Sequence, residues 1–99
     1  MNNYKINTTN AAKEDIKNIS SYIAKDNLRA AVAVIKLFKK SVEKLSDFPD
    51  LGKHKEGITD KDILIFTVKQ RYSIAYKVKD NSVIVLRILS RYQDIFAIL

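Results

Sequence analysis

The spacing of apolar residues changes twice along this 99-residue chain, and those changes limit the folds it can adopt. Tyr4, Ile6 and Thr8 alternate with polar residues, which predicts a short half-buried strand. From Ala12 the apolar residues recur every three or four positions, as they do on one face of a helix. Alternation and β-branched residues return at about Ile63. The order predicts a single α+β domain over residues 1–99.

A first amphipathic helix is predicted after Thr9 or Asn10, either of which can cap it. Glu14 and Asp15 lie in its first turns, where we interpret them as carboxylates that complement the helix dipole. The helix is expected to end near residues 26–27, with one face apolar and the other facing water.

A second helix is predicted from Leu28 to about Ser46. Its apolar arc consists of Ala31, Val34, Ile35, Leu37, Phe38, Val42 and Leu45. Because only a few residues join the two helices, we expect an antiparallel hairpin whose apolar sides cover a sheet.

The C-terminal half predicts an antiparallel sheet of three strands, at residues 63–68, 72–78 and 83–89. A turn at residues 48–52 ends the second helix, and residues 53–61 are expected to form a polar surface loop. The last strand is apolar on both faces. We therefore expect exposed apolar area around Arg87 on the side away from the helices, which is typical of a docking surface.

The charge balance indicates an anionic partner. Eighteen Lys and Arg residues against eleven Asp and Glu give a formal charge of +7, which favours acidic protein or nucleic acid. No cysteine is present, which excludes a disulfide framework and suits a reducing compartment. No apolar run approaches the ~20 residues of a membrane helix, and the first ten residues carry no secretory signal. We expect a cytoplasmic protein without membrane contact.

Small-molecule chemistry has little support in the sequence. Two glycines cannot form a phosphate-cradling loop, and the lone His54 is expected to be solvated, so we expect no cofactor and no metal. A lysine stripe at positions 36, 39, 40 and 44 is interpreted as a solvated helix face rather than a phosphate site. Core packing is favoured over base stacking for Tyr72 and Tyr76.

A cluster of Arg87, Arg91 and Tyr92 near the C-terminus leaves two interpretations open. Two arginines and a phenol could stabilise a phosphorane and move a proton, which is the minimum for cleaving RNA without metal. The same residues could instead pair with an acidic partner or with Asp94. The apolar tail that follows, residues 95–99, is expected either to pack back on the sheet or to insert into a partner.

The order of elements, with a Phe-Pro-x-x-Gly turn between the helices and the strands, resembles the RelE/ParE superfamily of bacterial toxins. The resemblance runs from Tyr4 to Leu99. It is carried by Thr9, Ala12, Glu14, Asp15, Tyr22-Ile23-Ala24, Asp47-Phe48-Pro49, Gly52, Arg71-Tyr72, Ile74, Tyr76, Val78, Leu86-Arg87-Ile88-Leu89, Arg91 and Asp94-Ile95.

The resemblance implies the toxin subunit of a type II toxin-antitoxin system, with roles in growth inhibition and plasmid stabilisation. The long hairpin is similar to ParE, which implies inhibition of DNA gyrase. The alternative is a ribosome-dependent, metal-independent mRNA endonuclease similar to RelE or YoeB. The positions that carry catalytic groups in RelE-type nucleases are here Leu64, Phe66, Ser73, Gln93 and Leu99. Ser90 and Gln70 replace a histidine and a glycine that are frequent in ParE proteins.

The resemblance also implies a partner, a small, acidic and partly disordered antitoxin that forms a hetero-oligomer with the toxin. The target would be gyrase, or the ribosome and mRNA in the alternative. We expect the antitoxin or the target to contact Arg71, Lys77, Arg87, Arg91, Tyr92, Ile95 and Phe96. Arg87, Arg91 and Tyr92 would be catalytic residues only in a nuclease.

Overall fold

The computed structural model describes residues 4–99 and confirms the α+β class and the predicted order of elements. The elements in chain order are β1 (Lys5–Thr8), α1 (Asn10–Ala24), α2 (Leu28–Asp47), β2 (Leu64–Val68), β3 (Tyr72–Lys79), β4 (Ser82–Ser90) and α3 (Ile95–Ile98). Within this part of the chain, none of the helices is long and apolar enough to cross a membrane.

The two long helices begin at capping residues that the sequence provides. The Thr9 hydroxyl accepts a hydrogen bond from Ala12 N at 3.1 Å, and the Asn27 side chain accepts one from Ala30 N at 3.0 Å. Helix α1 ends at Ala24, slightly before the predicted end. The short connection that follows reverses the chain into the predicted hairpin.

The four strands form one mixed sheet in the order β1-β4-β3-β2. The pairs β2–β3 and β3–β4 are antiparallel, as predicted, whereas β1 adds to β4 in parallel. Strand β1 pairs with β4 only from Ser82 to Val85. The second half of β4 therefore has no strand neighbour on that edge.

The main core lies between the helical hairpin and the sheet. Its buried residues are Ala12, Val34, Phe38, Leu45, Val68, Ile74, Tyr76, Val83, Val85 and Ile88. Tyr76 is completely buried, and the Tyr72 ring packs edge-to-face on Phe38 with centroids 4.9 Å apart. Core packing of these two tyrosines is therefore confirmed.

One residue assigned to the apolar arc of α2 was placed wrongly. Ile35 is 45% exposed, and it lies one and two helical turns beyond the exposed Val32 and Leu28. These three residues follow the i, i+4, i+7 spacing and form a stripe on the outer side of the hairpin. The sequence pattern could not separate this stripe from the buried side because both contain β-branched and aliphatic residues.

The second face of the sheet is covered, so the expected exposed apolar area around Arg87 is wrong. Ile58, from the loop predicted to be polar surface, is buried together with Ile63 and Ala75. Ile95 and Leu99 pack against this small cluster. The tail therefore packs back on the sheet, which was the first of its two predicted alternatives. Phe96 stays 50% exposed.

The hydroxyl of Tyr76 is expected to stabilise the folded chain. It donates a hydrogen bond to Pro49 O and accepts one from Gly52 N, both at 2.7 Å, and so holds the turn after α2 onto the sheet. Tyr76→Phe should lower the free energy of unfolding by about 1–3 kcal/mol, because the buried Gly52 N–H and the partly buried Pro49 carbonyl lose their partner. Urea denaturation measures this. The control Tyr22→Phe, at a 73% exposed residue, should change little, and equal midpoints for the two variants would contradict the prediction.

Candidate functional site

The free edge of β4 is closed by the start of α1. Thr9 N donates a hydrogen bond to Val85 O at 3.0 Å, and the Thr9 hydroxyl donates one to Leu86 O at 2.8 Å. Ile88 N, in the buried part of the strand, donates to the Asp15 carboxylate at 2.9 Å. These contacts replace the strand neighbour that β1 does not provide, and they fix α1 against the sheet.

Arg87 lies at this junction. Its Nε and Nη2 donate to the two carboxylate oxygens of Asp15 at 2.7 and 2.9 Å. The bond to Asp15 raises the pKa of Arg87 above its ordinary value, at which a guanidinium is already always charged. Asp15 is only 7% exposed, whereas the Arg87 side chain is 30% exposed.

A β-bulge explains why Arg87 reaches α1. Between Ala75 and Tyr76 the register shifts, so that Ala75 pairs with Arg87 while Tyr76 pairs with Val85. Leu86 is therefore the extra residue, and a bulge of this kind changes the direction of the side chains that follow.

Asp15 has a structural role at this junction that the sequence interpretation missed. It was interpreted as a dipole-complementing carboxylate, but it lies beyond the first turn and is buried against β4. Asp94, the residue of this chain that was expected to pair with the arginines, instead caps α3 by accepting hydrogen bonds from Phe96 N and Ala97 N. The available signal was the position of Asp15 three residues after Ala12, on the apolar side of α1.

A cleft of about 680 Å³ opens between α1 and the ends of β3 and β4. We call it the tyrosine-arginine cleft, because Tyr22, Arg71, Arg91 and Tyr92 line it together with six other residues. Those six are Asn18, Ile19, Ile23, Tyr72, Ser90 and Gln93. The cleft thus brings together three of the seven expected binding residues.

The two arginines of the cleft come from different strand ends. Arg91 N donates to Arg71 O at 2.7 Å, which holds the end of β4 beside the start of β3. The turn before Arg71 places Lys69 and Gln70 at φ values of 55° and 57°. This left-handed conformation favours glycine. It therefore explains why glycine is frequent in ParE proteins at the position that Gln70 occupies here.

Arg91 and Tyr92 contact each other directly at the rim of the cleft. Arg91 Nη2 donates to the Tyr92 hydroxyl at 2.8 Å, and the guanidinium lies 5.0 Å from the centroid of the ring. The hydrogen bond from Arg91, together with its charge, lowers the pKa of Tyr92. The ring of Tyr92 remains 84% exposed. Two of the three candidate catalytic residues are therefore adjacent, whereas Arg87 is directed to Asp15.

The remaining expected binding residues lie on the other face of the sheet. Lys77 forms an ion pair with Asp60 at 2.6 Å, which raises the pKa of Lys77 and lowers that of Asp60. Ile95 and Phe96 belong to α3, which packs on the same face. The seven residues therefore do not form one continuous site.

Two of the five positions that carry catalytic groups in RelE-type nucleases lie in β2 and hold apolar side chains here. Leu64 and Phe66 pack against the main core. The Nδ1 atom of His54 lies 3.3 Å from Ile63 O, in the loop that covers the second face. Within residues 4–99, no three His, Asp or Glu side chains lie close enough to hold a metal ion. The tyrosine-arginine cleft can bind an anion, but no carboxylate or imidazole among its lining residues can act as a general base.

Comparison with known proteins assigns the family. A family model described as the ParE toxin of type II toxin-antitoxin systems, parDE, matches residues 6–95. The chain belongs to the ParE toxin family. No curated protein sequence matches it.

Three solved structures share the fold of this ParE-family chain. A chromosomal ParDE system from P. aeruginosa superposes with a TM-score of 0.76 at 17% identity, covering 89% of this chain and 96% of that one. The RelBE2 toxin-antitoxin complex of Mycobacterium tuberculosis gives 0.63 at 21% identity, covering 94% and 97%. The protein HP0894 of Helicobacter pylori gives 0.57 at 20% identity, covering 91% and 97%.

Tyr22 lines the cleft, but the sequence interpretation used it only as part of the resemblance to the RelE/ParE superfamily. It follows Ile19 by three positions and therefore lies on the same side of α1, next to the apolar stripe. At 73% exposure it is too accessible to be a core residue. An aromatic residue at the border of an apolar stripe was the signal that could have identified it.

The contact between Arg91 and Tyr92 predicts how the tyrosines titrate. Tyr92 should ionise below the ordinary tyrosine pKa of about 10, whereas burial raises the pKa of Tyr76 above it. In Arg91→Gln the pKa of Tyr92 should rise, because the phenolate loses its main donor. NMR titration of the ring resonances measures both groups separately. The control Lys79→Gln removes a charge elsewhere on the surface, and an equal change at Tyr92 in both variants would contradict the prediction.

Proposed function

We propose that this chain is a gyrase-directed toxin that acts by binding and not by cleaving RNA. The proposal rests on the separation of the three candidate catalytic residues, which argues against a nuclease. Arg87 donates two hydrogen bonds to Asp15, while Arg91 contacts Tyr92. A metal-free nuclease needs donors and an acid or base directed at one phosphate, and an arginine committed to an internal carboxylate does not supply such a donor.

A cognate antitoxin is the second part of the proposal, and the outer side of α2 supports it. Leu28, Val32 and Ile35 are 71%, 46% and 45% exposed, and the cations Arg29 and Lys36 lie beside them. An acidic amphipathic segment complements such a surface by covering the apolar stripe and pairing with the cations. The similar ParDE and RelBE2 structures are toxin-antitoxin systems, which also supports a hetero-oligomer. Gyrase and ribosomes both lie in the cytoplasm, where we expect the protein to act.

A ribosome-dependent mRNA endonuclease is the second candidate, and one observation favours it. The pKa of Tyr92 is lowered by Arg91, so this phenol gives up a proton more readily than an ordinary tyrosine. A phenol of that kind beside a permanent cation can take part in acid-base chemistry. The two candidates differ in whether the hydroxyl of Tyr92 is needed.

Two variants separate the candidates. On the gyrase hypothesis, the purified chain inhibits supercoiling by gyrase and leaves ribosome-bound mRNA intact. Tyr92→Phe, which deletes only the hydroxyl, should retain inhibition within about 2-fold. Arg91→Ala should weaken it by about 10-fold or more, since a central arginine of an interface contributes about 2 kcal/mol to binding. The supercoiling assay and a growth assay in cells measure both effects.

The nuclease hypothesis predicts a different outcome for Tyr92→Phe. Loss of one transition-state group typically reduces the rate of an enzyme about 10²- to 10³-fold. Cleavage of mRNA on the ribosome that disappears in Tyr92→Phe, with gyrase unaffected by the purified chain, would replace the gyrase hypothesis with the nuclease. Restoration of growth by the acidic product of a neighbouring gene tests the antitoxin separately from the target.

A further inference from the structure

The tyrosine-arginine cleft contains two cations that form no ion pair with a carboxylate of the described residues. Among residues 4–99 the ion pairs are Lys77 with Asp60 and Arg87 with Asp15, so neither Arg71 nor Arg91 has a carboxylate within 4 Å. None of the residues that line the cleft is acidic. Two guanidinium groups without a carboxylate partner at one cleft attract an anion, and their geometry suits the oxygens of a carboxylate or a phosphate.

The aromatic residues distinguish between these two anions. Tyr22 and Tyr92 are 73% and 84% exposed, so both rings are accessible to a ligand. A cation lies over each ring: Lys25 Nζ is 5.8 Å from the Tyr22 centroid, and the Arg91 guanidinium is 5.0 Å from the Tyr92 centroid. The electron-rich face of a tyrosine does not attract a carboxylate, whereas it stacks on a nucleobase.

We propose that the tyrosine-arginine cleft binds a segment of single-stranded nucleic acid. One phosphate lies between Arg71 and Arg91, and the adjacent base stacks on Tyr92. Ser90 and Gln93, which also line the cleft, provide polar groups for the edges of the base. The volume of about 680 Å³ lies within the range of roughly 300–1,000 Å³ that small-ligand clefts occupy.

Binding at this cleft does not require gyrase, and it does not imply cleavage. The lining residues provide cations, amides, hydroxyls and rings but no carboxylate or imidazole that could act as a general base. The inference therefore goes beyond the proposed function, and the two can fail independently. Oligonucleotide binding is measured with the full chain alone, whereas the supercoiling assay measures action on gyrase.

The test uses fluorescence anisotropy with labelled ten-nucleotide oligo-dT and oligo-rU at low salt, about 50 mM, where phosphate contacts are strongest. The full chain should bind, and the oligonucleotide should remain uncut. Tyr92→Ala should weaken binding about 10-fold, because a stacked base contributes about 1–3 kcal/mol. Tyr92→Phe keeps the ring and should bind within about 2-fold of the native chain. A preference for one oligonucleotide identifies DNA or RNA as the natural strand.

Matched charge variants separate the cleft from general attraction between a cationic protein and a polyanion. Arg71→Gln with Arg91→Gln should weaken binding at least 10-fold. Lys39→Gln with Lys40→Gln removes the same charge from the exposed side of α2 and should weaken binding no more than about 3-fold. Amide NMR of the native chain provides a test that needs no variant, since oligo-dT should shift the resonances of Arg71, Ser90 and Gln93.

Several results would overturn the inference. One is equal loss of affinity in the two double variants, which would mean non-specific attraction. Another is native affinity in Tyr92→Ala, since the ring would then make no contact. A decameric glutamate peptide that displaces oligo-dT and binds more tightly would assign the cleft to an acidic protein segment instead. Absence of binding at low salt, or NMR shifts confined to residues outside the cleft, would also exclude it.

Discussion

The contact of Asp15 with β4 joins the helical layer of this domain to its sheet. Strand β1 covers β4 only as far as Val85, and the chain then leaves the sheet to begin α1. The backbone of β4 continues into the core, where Ile88 is completely buried. An unpaired N–H at that depth costs about 1–3 kcal/mol, and the Asp15 carboxylate provides the acceptor. The guanidinium of Arg87 neutralises the negative charge of the buried Asp15 carboxylate.

The same contact determines where the candidate site lies. It fixes the first half of α1 on β4, and the second half of the helix then passes over the ends of β3 and β4. Ile19 and Tyr22 thus form one wall of the tyrosine-arginine cleft, and Arg71 and Arg91 lie on the strand side. Arg87 therefore has a positioning role in the structure, whereas the cations that remain available for a ligand are those at the strand ends.

The sequence predicted what depends on local pattern. Periodicity and capping residues located both long helices and all four strands to within a few residues, and core packing was predicted correctly for Tyr72 and Tyr76. Contacts between distant residues could not be predicted in this way. Asp15 and Arg87 are 72 positions apart, and the bulge at Leu86 that directs Arg87 has no marker such as glycine. The burial of Ile58 on the second face likewise depends on packing that no spacing encodes.

The measurement that tests this account most directly is native-state hydrogen exchange in Asp15→Ala. Alanine favours helix, so any loss of stability comes from the missing carboxylate and not from α1 itself. The amide of Ile88 should exchange faster than its neighbours in β4, and the free energy of unfolding should fall by about 2–3 kcal/mol. Glu14→Ala, which removes an exposed carboxylate from the same helix, should change neither quantity appreciably. Unchanged protection of Ile88 and unchanged stability in Asp15→Ala would contradict the claim that this carboxylate joins the two layers.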